Sequence, residues 1–227
     1  MPNQSKTEKS GVADYWGRRT KKSGGLSAKK ESRAGIQKRL EALSKDVFDN
    51  KGAEAAARLR AWNGWSAYRS VLVFLSTAVE INTQPLLDLA FTGRKRVFAP
   101  RIEQSSLAFF RLDSARGLWT EGAFGIREPS PDIPLAAEDF PALVVTPGLI
   151  FDRHGGRLGR GRGFYDQFFA ALDAGTLPGL PAGLPFTACG LCLELQIADS
   201  IPMEGHDRKM DMVVTEKRIL YPRIVSP

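Results

Sequence analysis

Cysteine and histidine are scarce in this chain, two of each among 227 residues. The cysteines, Cys189 and Cys192, form a single C-x-x-C, and no second pair completes a four-thiolate zinc site. A lone C-x-x-C can be a redox pair. Leu191 and Leu193 flank Cys192 in an apolar run, however, so we expect reduced thiols in a buried strand. Long apolar stretches are missing too: the longest uninterrupted ones, such as Val71 to Leu75, are far too short to cross a bilayer. The first residues are polar and lysine-rich with no apolar centre, which predicts no secretory leader and a cytoplasmic protein.

The domain itself has little charge excess, although the chain carries a net charge of +7. Positions 1–45 hold twelve Lys/Arg against four Asp/Glu, and the remainder holds twenty against twenty-one. The basicity therefore sits in a leading segment, which reads as a disordered, solvated tail over residues 1–25 ahead of one domain over 26–227. A nucleic-acid-binding arm is the alternative, but no aromatic ladder accompanies it to stack bases.

What is present is an alternation of periods. Ser27 is a candidate N-cap for a helix carrying Ile36, Leu40 and Leu43 on one stripe, with Lys29, Lys30 and Arg33 off it. An Ala-rich helix is predicted from about Lys51 to Trp62. Val71–Leu75 reads as a buried strand and Thr83–Phe91 as a helix capped by Thr83 and stopped by Gly93. Arg96–Ala99 and Leu107–Leu112 read as short strands, and 122–140 as loop. Ala142–Thr146 is a strand, about Phe164 to Ala174 a helix, and Ala188–Leu193 and Met212–Thr215 two last strands. This order predicts a single-domain α/β fold: a mostly parallel, Rossmann-like sheet with helices on both faces.

The run Arg157-Leu-Gly-Arg-Gly-Arg-Gly-Phe-Tyr-Asp166 falls between a strand and a helix start. Its alternate glycines let backbone N–H groups approach a ligand, and its arginines present donor forks suited to phosphate oxygens. The spacing of Gly159, Gly161 and Gly163 matches neither common nucleotide fingerprint. A surface loop is therefore the plain alternative to a polyphosphate cradle beside a helix N-terminus. Asp166 can hold a divalent cation or simply place negative charge in the first turn of its helix. Glu80 follows a strand and precedes a cap; it can accept hydrogen bonds from a ring amide and amino group or remain a solvated loop acid. Asp207 lies in a polar loop before the last strand. His206 beside it, without a second ligand nearby, reads as a surface residue.

Taken in order, these segments resemble the 5-formyltetrahydrofolate cyclo-ligase (5,10-methenyltetrahydrofolate synthetase) family from about Ser27 to Glu216. The motifs that carry the resemblance are Ala28-Lys-Lys-Glu-Ser-Arg33, Phe74-Leu-Ser-x-x-x-Glu80-Ile-x-Thr83, Gly125-Ile-Arg-Glu-Pro129 and Pro147-Gly-Leu-Ile-Phe-Asp152. To these are added Gly156 to Asp166 and Ile201-Pro-x-x-x-x-Asp207-x-x-x-Asp211-x-x-Val214-Thr-Glu216. The resemblance implies that Lys29, Arg33, Arg157, Gly159, Arg160, Gly161, Arg162, Gly163, Phe164 and Tyr165 bind ATP. It implies that Leu75 and Glu80, with Arg160 to Phe164, bind the folate, and that Asp166 and Asp207 bind Mg²⁺. Arg162 and Tyr165 are the implied catalytic residues.

The implied reaction is phosphorylation of the formyl oxygen of 5-formyltetrahydrofolate, then ring closure to 5,10-methenyltetrahydrofolate with release of ADP and phosphate. A monomer without membrane association is the expectation, with the folate in monoglutamate or polyglutamate form. Four positions depart from the family's usual residues: Phe124 for Trp, Arg162 for Lys or Gly, Phe164 for Tyr, and Leu193 for an aromatic. Two rival readings stand beside this one: a folate- or nucleotide-binding module without catalysis, and a nucleic-acid-binding protein using the basic tail.

Overall fold

The computed structural model describes residues 25–116, 119–121, 127–129, 133–205 and 207–222. The expected basic tail lies outside them, as do Phe124 and His206. Helix α1 (Gly25–Glu41) is already under way at Gly25, so Ser27 sits inside the helix rather than at its cap. Its predicted stripe holds in part: Ile36 and Leu40 are buried and Lys30 is exposed, while Leu43 falls past the end of the helix and is half-buried.

Helix α2 (Lys45–Ala61) begins well before the expected Lys51, with Ser44 in the cap position. Asn50 and Gly52 look like breakers in sequence, yet Gly52 is there for contact. A Cβ on it would stand 2.2 Å from the Asn82 carbonyl oxygen. That close approach, with the Asn82 N–H donating to the Phe48 carbonyl at 3.2 Å, docks the loop after the first strand onto this helix.

Strand β1 (Ser70–Val73) ends two residues earlier than its apolar run predicts, because Phe74 and Leu75 leave the sheet to line a cavity. In helix α3 (Gln84–Thr92), Thr83 holds the N-cap position but its hydroxyl does not cap. Asn82 Oδ1 accepts the Gln84 N–H at 2.8 Å instead, and Thr83 Oγ1 accepts the Ser76 N–H at 3.2 Å. Strand β2 (Arg96–Glu103) runs past Pro100 and forms a hairpin with β3 (Ser106–Leu112). Proline normally stops a strand; here β1 pairs only with Arg96–Phe98, so the residues from Ala99 onward face an open edge on that side.

The expected loop over 122–140 is not wholly irregular. Strands β4 (Trp119–Glu121) and β5 (Arg127–Pro129) form an antiparallel pair, and a bridge joins Phe110 to Pro134. Next come β6 (Ala142–Thr146), as predicted, then β7 (Ile150–Asp152), β8 (Arg157–Leu158), α4 (Phe164–Ala174) and β9 (Phe186–Leu191). The last strands are β10 (Ile197–Ala198), β11 (Met212–Val214) and β12 (Ile219–Leu220). The three short segments at 150–152, 157–158 and 197–198 make a small second sheet that periodicity cannot reveal, since such short strands carry no pattern.

The main sheet has the order β12-β11-β9-β6-β1-β2-β3, parallel except at its two edges. Side chains of each strand alternate between two cores. Val71, Val73, Val97, Leu143 and Val145 meet α1, α2 and α3 on one face. Leu72, Phe98, Val144 and Val213 meet Phe168, Phe169 and Leu172 of α4 on the other. The predicted α/β class, with helices on both faces, is therefore the observed one. Cys189 and Cys192 are buried free thiols, and burial pushes both well above the usual thiol range. No helix among the described residues is long and apolar enough to cross a membrane.

From β1 the chain moves one way to β2 and β3, then returns to β6 on the other side of β1 and continues to β9 and β11. The order thus reverses between β1 and β6. Beyond the carboxyl ends of strands at such a switch point, an open parallel sheet leaves a crevice.

Candidate active site

A cavity of about 720 Å³ occupies that crevice. Phe74 and Leu75 reach it from the end of β1, Pro147 and Gly148 from the end of β6. Every residue that the sequence suggested for the site lines this one cavity: Lys29 and Arg33 from α1, Leu75 and Glu80 after β1, Arg157 and Gly159 to Asp166 around β8 and α4, and Asp207. Residues 178 positions apart, Lys29 and Asp207, are in direct contact there.

The glycine-arginine run is held by specific bonds. Gly161 has φ 97° and Gly163 φ 72°, left-handed values that favour glycine, and the second places the chain at the start of α4. Arg33 Nε donates to the Gly159 carbonyl at 2.9 Å, so α1 grips the loop's backbone. Arg157 is buried, and its Nη2 donates to Asp166 Oδ1 at 2.7 Å. Arg160 Nη2 lies 3.4 Å from Glu80 Oε1, across the mouth of the cavity. The Thr77 N–H donates to the other oxygen, Glu80 Oε2, at 2.9 Å, so the carboxylate is aimed from both sides. Arg162 is exposed on the loop between these two ends.

On the opposite side, Lys29 Nζ donates to Glu204 Oε1 at 2.8 Å and to Asp207 Oδ2 at 3.2 Å. Burial pulls its pKa down, but the two carboxylates more than offset this and leave it above the usual lysine value. Among the described residues, the buried side-chain polar atoms without a partner are Thr77 Oγ1, Arg157 Nε and Tyr165 Oη. All three residues line the cavity. Unpaired buried polar atoms are rare and unfavourable, so their gathering in one place marks a functional locus rather than packing. Burial drives the Tyr165 phenol far above its ordinary range, with Arg157 opposing, so it stays protonated at neutral pH.

Two residues that the sequence reading left without a role organise this site. Glu204 lines the cavity and shares Lys29 with Asp207. Asp152 is almost wholly buried, and its two oxygens accept three backbone N–H groups: His154 at 2.9 Å, Gly156 at 2.8 Å and Ile201 at 2.9 Å. It thereby ties the segment leading into Arg157 to the segment leading into Glu204 and Asp207. Both residues lie within quoted motifs, but contacts made across 49 positions leave no spacing to read. The apolar wall of Pro100, Ile102 and Leu107 was also missed, because Pro100 concealed the length of β2. Leu193, which the resemblance set where the family commonly has an aromatic beside the folate, is buried in the core on the α1–α3 face and does not line the cavity.

As a cation site, the cavity offers oxygen donors from Asp166 and Asp207. No group of three or more His, Cys, Asp or Glu side chains among the described residues is placed to hold a metal. Mg²⁺ can bind through one or two carboxylates plus substrate phosphates and several waters, so it does not require such a group.

The fold and cleft together define a doubly wound α/β protein with a mixed site: cationic and glycine-rich at one end, apolar with a carboxylate at the other. A sequence model of the 5-formyltetrahydrofolate cyclo-ligase family matches residues 26–216, and the chain belongs to that family. The mouse 5-formyltetrahydrofolate cyclo-ligase is 30% identical over 197 residues, covering 84% of this chain and 94% of its own. The Saccharomyces cerevisiae enzyme of that name is 29% identical, covering 83% and 95%. In fold, the chain is similar to the NMR structure of Aquifex aeolicus 5,10-methenyltetrahydrofolate synthetase. The TM-score is 0.71 at 23% identity, covering 88% of this chain and 95% of that one.

Proposed function

We propose that the protein converts 5-formyltetrahydrofolate to 5,10-methenyltetrahydrofolate with ATP as co-substrate, releasing ADP and phosphate. The observation that carries this reading is the two-ended cleft of a chain in this family, with its cationic loop joining the two ends. Lys29, Arg33 and Arg157, with the backbone of Gly159, Gly161 and Gly163, hold the polyphosphate. Leu75, Glu80 and Phe164 hold the ring end of the folate, Glu80 accepting from ring N–H groups while Arg160 and the Thr77 N–H keep its carboxylate aimed. Asp166 and Asp207 hold Mg²⁺, which when bound neutralises charge on the phosphate oxygens.

In the first step the formyl oxygen bonds to the γ-phosphorus and the bond to ADP breaks. In the second, N10 adds to the formyl carbon and loses its proton, and the carbon–oxygen bond breaks as phosphate leaves. Phosphoryl transfer depends on alignment and charge neutralisation more than on a protein nucleophile. Arg162, exposed on the loop between the two ends, supplies charge to the transferring group. Tyr165, kept protonated by burial, acts as a neutral hydrogen-bond donor and not as a base.

Mixing the protein with 5-formyltetrahydrofolate, ATP and Mg²⁺ should produce a rise in methenyltetrahydrofolate absorbance. No rise across a range of folate concentrations, with protein shown to be folded, overturns the proposal.

A further inference from the structure

The cleft compensates its own charge. Lys29, Arg157 and Arg160 each already hold a carboxylate of the same cavity, Glu204 with Asp207, Asp166 and Glu80 respectively. A polyanion that takes one of these cations leaves a carboxylate uncompensated beside its own phosphates. A divalent cation arriving with the anion removes that penalty, because it occupies the carboxylates as the phosphates occupy the cations. Asp166 and Asp207 are assigned to that cation in the proposed function. Glu204 is the acid left over.

Its geometry is suited to a different task. Asp207 Oδ2 accepts both the Lys29 ammonium, at 3.2 Å, and the Glu204 backbone N–H, at 2.7 Å, so one turn wraps both acids around one ammonium. The Lys29 side chain is only 9% exposed, whereas that of Glu204 is 50% exposed. The ion pair thus buries its lysine end and leaves its glutamate end half-exposed.

We infer that Glu204 sets the selectivity of this cleft for a metal-complexed nucleotide over a metal-free one: its carboxylate, 2.8 Å from the Lys29 ammonium, opposes an incoming polyanion in proportion to that anion's charge. The inference rests on the proposed function, in which Lys29 contacts phosphate. A partly exposed ion pair of this kind changes an affinity by about fivefold. Metal-free ATP carries more negative charge than its Mg²⁺ complex, so the loss of Glu204 favours the free form more.

Calorimetric titration of the full-length protein and of Glu204→Gln tests this, using ATP in EDTA and ATP with excess Mg²⁺. Glu204→Gln should bind metal-free ATP about fivefold more tightly and the Mg²⁺ complex within about twofold of the wild type. Glu204→Ala should behave the same way, and both should remain folded with at most a small drop in melting temperature. Unchanged affinity for metal-free ATP overturns the inference, as does equal tightening of both forms. Weakened binding of the Mg²⁺ complex also overturns it, since Glu204 would then be a cation ligand. A wild-type protein that binds neither form overturns the proposed function as well; binding of the complex with an unaltered preference in Glu204→Gln sinks only the role of Glu204.

Discussion

The two walls of the cleft differ in how they are made. The wall of Phe74, Leu75, Pro100, Ile102 and Leu107 consists of strand ends and hairpin residues continuous with the cores of the main sheet. The facing wall, Arg157 to Asp166 with Lys29, Arg33, Glu204 and Asp207, is a set of short segments tied by ion pairs and backbone hydrogen bonds. Leu75 is buried, while Arg160 and Arg162 are exposed. The first wall therefore exists because the fold exists, and altering it alters stability. The second is added to the fold, and much of it can change while the fold persists.

Substitutions on the two walls should separate these properties. Leu75→Ala should destabilise the protein most, by about 3 kcal/mol in denaturant melts, because the site is packed into the core and cannot fully collapse. A change below about 1 kcal/mol would mean that the apolar wall is not part of the core. Arg162→Ala should do the reverse. Turnover should fall about a hundredfold, roughly 2.7 kcal/mol of transition-state stabilisation, with an unaltered melting temperature. Near-normal turnover would show that the loop is not where charge is neutralised.

Asp152→Asn should fall between the two, because it replaces one acceptor oxygen by a donor facing at least one of the three N–H groups. About 2 kcal/mol of stability should be lost, and the KM for Mg-ATP should rise more than that for the folate, since the released segment carries Asp207 and not Glu80. Equal rises would place Asp152 in general packing. The smallest effect concerns pH. Lys29 is raised above its ordinary value in the folded state. Its stabilising contribution is therefore fully present below the unfolded lysine pKa and lost only as pH climbs through the folded one. The stability difference between the wild type and Lys29→Met should stay constant from about pH 6 to pH 9 and shrink only above that. Shrinkage on the acid side of neutrality would assign the linkage to another group.

The added wall was the more legible of the two in sequence. Its glycines and arginines are concentrated in ten consecutive residues, so their chemistry can be read without knowing the fold. The apolar wall was not legible, because Pro100 disguised an eight-residue strand as a short one. Ser27 and Thr83 were both chosen as caps by residue type. In the structure one lies inside its helix and the other bonds to Ser76, its capping place taken by Asn82. Local preference is a weak force that any tertiary contact overrides.

The sequence by itself determined the α/β class, the cores on two faces and the membership of the cationic loop, because periodicity and composition are local properties. Only the tertiary structure decided that Lys29 meets Glu204 and Asp207, that Asp152 ties two distant segments together, and that Leu193 is core and not cleft. Those outcomes depend on which strand ends lie side by side at the reversal between β1 and β6. That adjacency is set by the packing of the whole sheet, which no short stretch of chain encodes.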